Sequence, residues 1–144
     1  MVVVLGGSDL ARKPRAEVLE MRGCLVMCLM GEIDAYSAEA VARSTFEGFA
    51  DRHQRNWVLD LSFVGYLDSR GLAVLEKLGF ELSAGGKKLV LVDCGGTPSR
   101  VLNYSEQYRA QKAKGPKLLV QVEEESFALV RFRSVEEAIA SLND

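Results

Sequence analysis

A short apolar segment followed by an amphipathic segment constrains the fold of this chain more than any other feature. The run Trp57–Leu61 is almost wholly apolar, which is typical of a β-strand covered on both faces. It leads through Phe63–Leu67 into a stretch from about Ser69 to Ser83, where leucines at positions 72, 75, 78 and 82 have helical spacing. Gly85 and Gly86 then end the predicted helix. A buried strand that leads directly into such a helix is the repeating unit of α/β domains.

The same alternation of strands and helices extends over most of the chain. Two largely apolar runs, Glu17–Met21 and Cys24–Met30, flank a turn and predict an antiparallel hairpin. The other predicted segments are a helix from Ser37 to about Arg52, a strand at Lys88–Val92, a helix beginning at Thr97, a strand at Ala128–Phe132 and a helix beginning at Ser134. We therefore predict an α/β fold with a mixed, mostly parallel sheet and packed helices, in which only the opening hairpin is antiparallel. Residues 1–15 are predicted to be an N-terminal extension, and residues 16–144 a single domain with an unusual insert near 105–126.

Composition and charge narrow the range of partners. The chain has 144 residues, of which 48% are hydrophobic and 26% charged, the balance of a globular domain. A formal net charge of -2 provides no basic surface of the kind that binds nucleic acid. The apolar stretches are too short to span a bilayer, and no signal peptide is predicted because Gly6 and Gly7 directly follow Met1–Leu5. We expect a cytoplasmic protein with no nucleic-acid partner and no direct membrane insertion.

Sequence patterns for catalysis, cofactors and metals are missing. The chain contains no phosphate-binding glycine loop, no dinucleotide fingerprint and no G-x-S-x-G nucleophile motif. Its only histidine, His53, lies in a charged stretch typical of a solvated helix end. No metal-ligand spacing occurs among Cys24, Cys28 and Cys94. The alternatives for Cys24 and Cys28 are a metal or redox pair and two small buried side chains, and we expect the latter. We therefore predict that the protein is not an enzyme and needs no cofactor or metal.

The junction between the central strand and its helix is the one candidate site. Ser69 is predicted in the first turn of the helix, beside unpaired backbone N–H groups and the positive end of the helix dipole. A phosphate on Ser69 would be accommodated there, and its added charge would change what can dock on the surface. The simpler alternative is that Asp68 or Ser69 is only the helix N-cap. Asp34 and Ser37 are the corresponding N-cap candidates for the preceding helix.

Several segments together resemble the STAS domain family, which includes bacterial anti-sigma factor antagonists and cytoplasmic domains of sulfate transporters. Met30–Asp34 resembles the family's Gly-x-Leu-Asp turn after the second strand. Trp57–Leu72 resembles its signature of a hydrophobic strand, Asp-Leu-Ser and then Asp-Ser-x-Gly-Leu. Lys87–Val92 resembles the strand that follows, and Phe132–Ala138 the closing segment. The resemblance covers about residues 16–104 and 127–142.

The resemblance implies a regulatory function. In the family's antagonists, the Ser of Asp-Ser-x-Gly is phosphorylated by a partner kinase that is also the anti-sigma factor, and Ser69 is the matching position. Asp68 is implied to support docking and phosphorylation, and Gly71 to let the helix start lie close to its surroundings. Asp34 and Arg70 complete the implied partner-binding set. The unphosphorylated protein would bind the kinase and free the sigma factor, and a phosphatase would reset the switch.

Two departures from the family pattern leave a second function open. Arg70 stands where many antagonists carry a second Ser or a Thr, so it either neutralises part of a phosphate's charge or indicates a different class of partner. The insert near 105–126 is longer than the usual loop. The alternative is a non-enzymatic STAS subunit of a membrane transporter assembly, in which Ser69 is only a helix cap.

Overall fold

The computed structural model describes residues 13–93, 95–114 and 129–144. These residues form a five-stranded sheet with helices on both faces. The strands are β1 (Arg15–Met21), β2 (Cys24–Ile33), β3 (Trp57–Leu67), β4 (Leu89–Val92) and β5 (Arg131–Phe132). The first helix, α1, joins α-helical Ala35–Ser37, a π-helical segment Ala38–Arg43 and α-helical Ser44–Glu47. The other helices are a 3-10 turn at Arg52–Gln54, α2 (Ser69–Ala84), α3 (Thr97–Lys114) and α4 (Val135–Asn143).

Strand order follows the chain, β1-β2-β3-β4-β5. Strand β1 pairs antiparallel with β2, while the pairings of β2 with β3, β3 with β4, and β4 with β5 are parallel. Arg22 and Gly23 form the hairpin turn with φ values of 51° and 82°, a left-handed conformation that glycine adopts without steric cost. The predicted α/β fold, with a mixed and mostly parallel sheet, is confirmed.

Alternating side chains along the strands build two cores. The larger core lies between the sheet and helices α1, α2 and α3, and the leucines at 72, 75, 78 and 82 all belong to it, as predicted. Trp57 is fully buried there, with ring centroids 5.2 Å from Phe46 and 5.5 Å from Phe49. The smaller core lies under α4 and contains Cys24, with Cys28 packed against it. Both cysteines therefore face the same side of the sheet as small, largely buried side chains, as expected.

Strand β3 carries two irregularities in its pairing with β2. In register, Cys28 lies opposite Asp60, but Met30 lies opposite Phe63, so β3 contains one extra residue between these pairs. A second extra residue separates Val64, opposite Gly31, from Tyr66, opposite Glu32. As a result Leu61, Val64 and Leu67, each three residues apart, all face the larger core. Strand β3 therefore runs continuously to Leu67, whereas the sequence pattern predicts a short strand, Trp57–Leu61, followed by a connecting segment.

Helix α1 differs from its prediction at both ends. It begins at Ala35 instead of Ser37, because the side chain of Asp34 caps it, and it ends at Glu47 instead of near Arg52. The N–H of Gly48 donates to the carbonyls of Ser44 and Thr45, which tightens the last turn. The chain then turns, so that the Arg52 carbonyl accepts a 3.0 Å hydrogen bond from the Trp57 indole instead of continuing a helix.

Two segments in the second half differ from the sequence pattern in detail. Helix α3 continues to Lys114, so residues 105–114 of the predicted insert are helical. The polar side of α3 is held by Arg131, which donates to Asn103 over 2.7 Å and lies 3.0 Å from the carboxylate of Glu106. The predicted strand from Ala128 is confined to Arg131–Phe132 within the described residues. Ala128, the remainder of the predicted insert, Cys94 and most of the N-terminal extension lie outside them.

In the described part of the chain, no helix combines the length and apolar character needed to cross a membrane.

Candidate functional site

The candidate site lies where β2 and β3 end. Ile33 and Leu67 are register partners in the parallel pair, so Asp34 and Asp68, which follow them, emerge at the same edge of the sheet. The N–H of Asp68 donates to the carbonyl of Ile33 over 3.2 Å, which ties the two strand ends together. The structure therefore brings together the two predicted acidic residues and the starts of helices α1 and α2.

Asp34 begins helix α1 with a reciprocal pair of hydrogen bonds. The N–H of Ser37 donates to the Asp34 carboxylate over 2.8 Å, and the Ser37 hydroxyl oxygen accepts from the N–H of Asp34 over 2.9 Å. Asp34 is therefore the N-cap, and Ser37 completes the capping box from the third helical position. The hydrogen bonds from the Ser37 backbone and side chain lower the pKa of the Asp34 carboxyl, because they favour its charged form.

Asp68 begins helix α2 in a similar way. Its carboxylate oxygen Oδ1 accepts a 2.7 Å hydrogen bond from the N–H of Gly71. The cap is thus Asp68, and the alternative prediction that Ser69 has this role is wrong. Ser69 is the first helical residue, and its side chain is exposed. The neighbouring Arg70 is exposed as well.

Gly71 lies where the start of α2 meets the end of β2. A Cβ atom added to Gly71 would be 2.7 Å from the carbonyl oxygen of Ile33 and 3.3 Å from backbone atoms of Asp34. Side-chain carbons do not approach backbone atoms as closely as 2.7 Å, so only glycine fits without movement of the neighbouring strand end. The start of α2 therefore lies directly against the end of β2 at Gly71.

The start of α2 and Arg70 favour an anion at Ser69, whereas Asp34 and Asp68 oppose it. The first turn of a 16-residue helix presents backbone N–H groups and the positive end of the dipole. The guanidinium of Arg70 adds a positive charge one residue away. Asp34 and Asp68 add negative charges on the same edge. Their carboxylates accept backbone hydrogen bonds, which stabilise that charge within the protein.

Three exposed aromatic side chains near the site have no counterpart in the sequence predictions. Tyr36, in the first turn of α1, is 83% exposed, and Phe63 and Tyr66, on β3, are 66% and 45% exposed. Phe63 and Tyr66 are register partners of Met30 and Glu32, and the two extra residues of β3 turn them away from the larger core. The sequence signal for this arrangement is that Leu61, Val64 and Leu67 are three positions apart, instead of the two positions of a regular strand.

A separate polar groove of about 590 Å³ lies at the carboxyl ends of β4 and β5. Its lining includes Asp93, Ser99, Asn103, Arg131 and Arg133. Asp93, with a side chain 7% exposed, forms an ion pair of 3.1 Å with Arg131. These two charged groups of the groove are thus engaged with each other, and the groove does not include Ser69.

Comparisons with known proteins agree with this architecture. The family model of the STAS domain matches residues 15–110, well over half of the chain. An anti-sigma factor antagonist from Mycobacterium paratuberculosis has a similar structure, with a TM-score of 0.68 and 19% identity over 92% of this chain and 96% of that one.

Two further structures have the same fold. A putative anti-sigma factor antagonist from Thermotoga maritima has a TM-score of 0.64 and 19% identity, over 90% of this chain and 95% of that one. The murine anion transporter Solute Carrier 26 family member A9 has a TM-score of 0.59 and 13% identity, over 95% of this chain but only 23% of the transporter. Taken with the match of the family model, the sheet order and the paired helix starts at its edge lead to one conclusion: the chain belongs to the STAS domain family.

Proposed function

We propose that this protein is an anti-sigma factor antagonist, a non-enzymatic regulator that binds an anti-sigma factor with serine kinase activity and is controlled by phosphorylation at Ser69. The observation that carries the proposal is the division of roles at the start of α2. Asp68 makes the cap hydrogen bond, and the Ser69 side chain is exposed at the first helical position. The Ser69 hydroxyl is thus accessible to a kinase without loss of the helix cap.

Phosphorylation at this position changes the surface without unfolding it. A phosphate adds a charge of roughly -1.5 to -2 at neutral pH and lies next to the positive end of the helix dipole. Asp34 and Asp68 already contribute negative charge to this edge, so the phosphorylated surface becomes strongly acidic. A partner that fits the unmodified surface then meets an added charge and its hydration shell. We expect the unphosphorylated protein to bind the kinase and the phosphorylated protein to release it.

The docking surface in this proposal surrounds Ser69. It comprises Asp34, Asp68, Arg70 and Gly71, with Gly71 acting through the close packing of the two helix starts. Exposed aromatic side chains such as Tyr36 border it, and aromatic residues and arginine are enriched in protein interfaces. The proposal requires no cofactor in this chain, because the kinase binds ATP, and it places the protein in the cytoplasm with a phosphatase that resets the switch.

The first experiment is incubation of the purified protein with ATP and an extract of its native cells, followed by intact mass measurement. We expect one added phosphate on the wild type and none on Ser69→Ala. Ser83→Ala is the matched control, because Ser83 is an exposed serine near the other end of the same helix. Loss of the phosphate in Ser83→Ala but not in Ser69→Ala would contradict the proposal, as would no phosphate in extracts with proven kinase activity.

Binding of the candidate kinase is the second experiment. Ser69→Asp adds a negative charge at the switch position, and we expect it to weaken binding relative to wild type and to Ser69→Ala. Equal affinities of all three proteins for the kinase would argue against the switch. A phosphatase from the same cells should remove the phosphate and restore binding.

A STAS subunit of a transporter assembly is the second candidate function. It is favoured by the similarity of the fold to the Solute Carrier 26 structure, which extends over 95% of this chain. In that role Ser69 is not a switch, and Asp68 already supplies the cap. Ser69→Asp should then leave partner binding unchanged, and genes for a permease and an ATPase, instead of a serine kinase and phosphatase, should neighbour the gene.

A further inference from the structure

Asp60 is a buried carboxylate at the first irregularity of β3. Asp60 is 7% exposed, and the other residues of the buried run Trp57–Leu61 are all apolar. Its oxygen Oδ1 accepts a 3.0 Å hydrogen bond from the N–H of Ser62 and a 2.5 Å hydrogen bond from the Ser62 hydroxyl. A short hydrogen bond from a hydroxyl to a carboxylate is among the stronger kinds in proteins. These two hydrogen bonds therefore fix Ser62, which lies in the segment of β3 that contains the extra residue.

The second oxygen of Asp60 faces strand β2. Sγ of Cys28 lies 3.9 Å from Oδ2, across the sheet at the register position of Asp60. Burial, with the negative charges of Asp60 and then Glu17, raises the pKa of the Cys28 thiol, so the thiol stays protonated and donates. Asp60 thus contacts Ser62 within β3 through one carboxylate oxygen and Cys28 on β2 through the other.

The position of the extra residue decides the register of everything after it in β3. If β3 lost this residue from its pairing with β2, the strand would slip by one position, about 3.3 Å. Every following side chain would change face, so Val64 and Leu67 would leave the larger core. The slip would also separate the Asp68 N–H from the Ile33 carbonyl, now 3.2 Å apart, and displace the close contact of Gly71.

We infer that Asp60 is a positioning residue for the phosphorylation site: through Ser62 it fixes the register that brings Asp68 and Ser69 to the end of β2. The phosphorylation of Ser69 in this inference rests on the proposed function, whereas the positioning of Asp68 does not depend on it. Asp60 is buried and therefore does not belong to the exposed surface around Ser69. It acts over the length of β3, from the smaller-core side of the sheet.

Amide hydrogen exchange on the purified protein tests the positioning directly. In Asp60→Ala we expect the amides of Asp68 and Gly71 to exchange at least tenfold faster relative to the slowest core amides. Asp60→Asn keeps an oxygen that accepts from Ser62 and should restore most of the protection. Val58→Ala is the control, because it removes buried apolar atoms from the same strand and face without touching the extra residue.

A milder variant covers the case in which Asp60→Ala does not fold. Ser62→Ala removes the hydroxyl donor but keeps the backbone N–H, so its effect on Asp68 exchange should be smaller and in the same direction. Equal relative exchange at Asp68 and Gly71 in Val58→Ala and in the Asp60 or Ser62 variants would overturn the inference, because the effect would then be general destabilisation.

The kinase reaction provides the functional readout. At a temperature where all variants are folded, Asp60→Ala should be phosphorylated at Ser69 several-fold more slowly than wild type, with recovery in Asp60→Asn and a wild-type rate in Val58→Ala. A wild-type rate in Asp60→Ala would overturn the inference. If the wild type itself is not phosphorylated, the proposed function fails, and the exchange experiment alone decides the role of Asp60.

Discussion

Replacement of Gly71 by alanine is the sharpest test of the geometry at the site. In a helix, Gly→Ala normally stabilises a protein, by up to about 1 kcal/mol. Here the new methyl group would be 2.7 Å from the Ile33 carbonyl oxygen, which itself accepts from the Asp68 N–H. Overpacking of this kind costs about 1–3 kcal/mol, because backbone must move. The cost exceeds the propensity gain, so we expect Gly71→Ala to lower the free energy of unfolding by about 1–2 kcal/mol.

Urea unfolding followed by tryptophan fluorescence measures this change. Trp57 is the only tryptophan and is fully buried in the larger core, so it reports loss of the fold. Gly65→Ala is the matched control, because a Cβ at Gly65 meets no atom within 4 Å. We expect it to leave stability unchanged or slightly increased. If Gly71→Ala were as stable as Gly65→Ala, the close contact between α2 and β2 would not exist as described.

Three further predictions concern single groups. Asp68→Ala should lower the free energy of unfolding by about 1 kcal/mol through loss of the cap, whereas Ser69→Ala should change it by less than about 0.5 kcal/mol; comparable losses in urea unfolding would contradict the assignment of the cap. Because the folded state lowers the pKa of Asp34, its contribution to stability is present above the unfolded pKa of about 4 and is lost as pH falls below it. The difference in stability between wild type and Asp34→Ala should therefore shrink between about pH 5 and pH 2, and a constant difference would refute the linkage. Since burial raises the pKa of Cys28, its alkylation at pH 7, followed by peptide mass spectrometry, should be much slower in folded than in unfolded protein, and equal rates would show an accessible thiol.

The local features of the chain could be predicted from sequence because their causes are local. The leucine spacing of α2 follows from the helical repeat, and the apolar run of β2 from its burial on both faces. The position of Ser69 at the helix start also depends on neighbouring residues alone. Its place in the first turn of α2 is therefore confirmed.

Other features depend on contacts between distant residues and were not predictable in detail. Sequence spacing left Asp68 and Ser69 as equal candidates for the cap, because both types of side chain can accept from a backbone N–H. The structure decides for Asp68, whose own N–H is fixed by the Ile33 carbonyl across the sheet.

The fold class, the alternation of strands and helices and the helix start that carries Ser69 follow from the amino-acid sequence, since periodicity and turn residues act within a few positions along the chain. Pairing across the sheet brings Asp34 and Asp68 to one edge, packs Gly71 against the Ile33 carbonyl and gives β3 its two extra residues. These features exist because strands far apart in sequence must pair while keeping their apolar side chains in one core. That requirement depends on both strands together and cannot be inferred from the sequence of either strand alone.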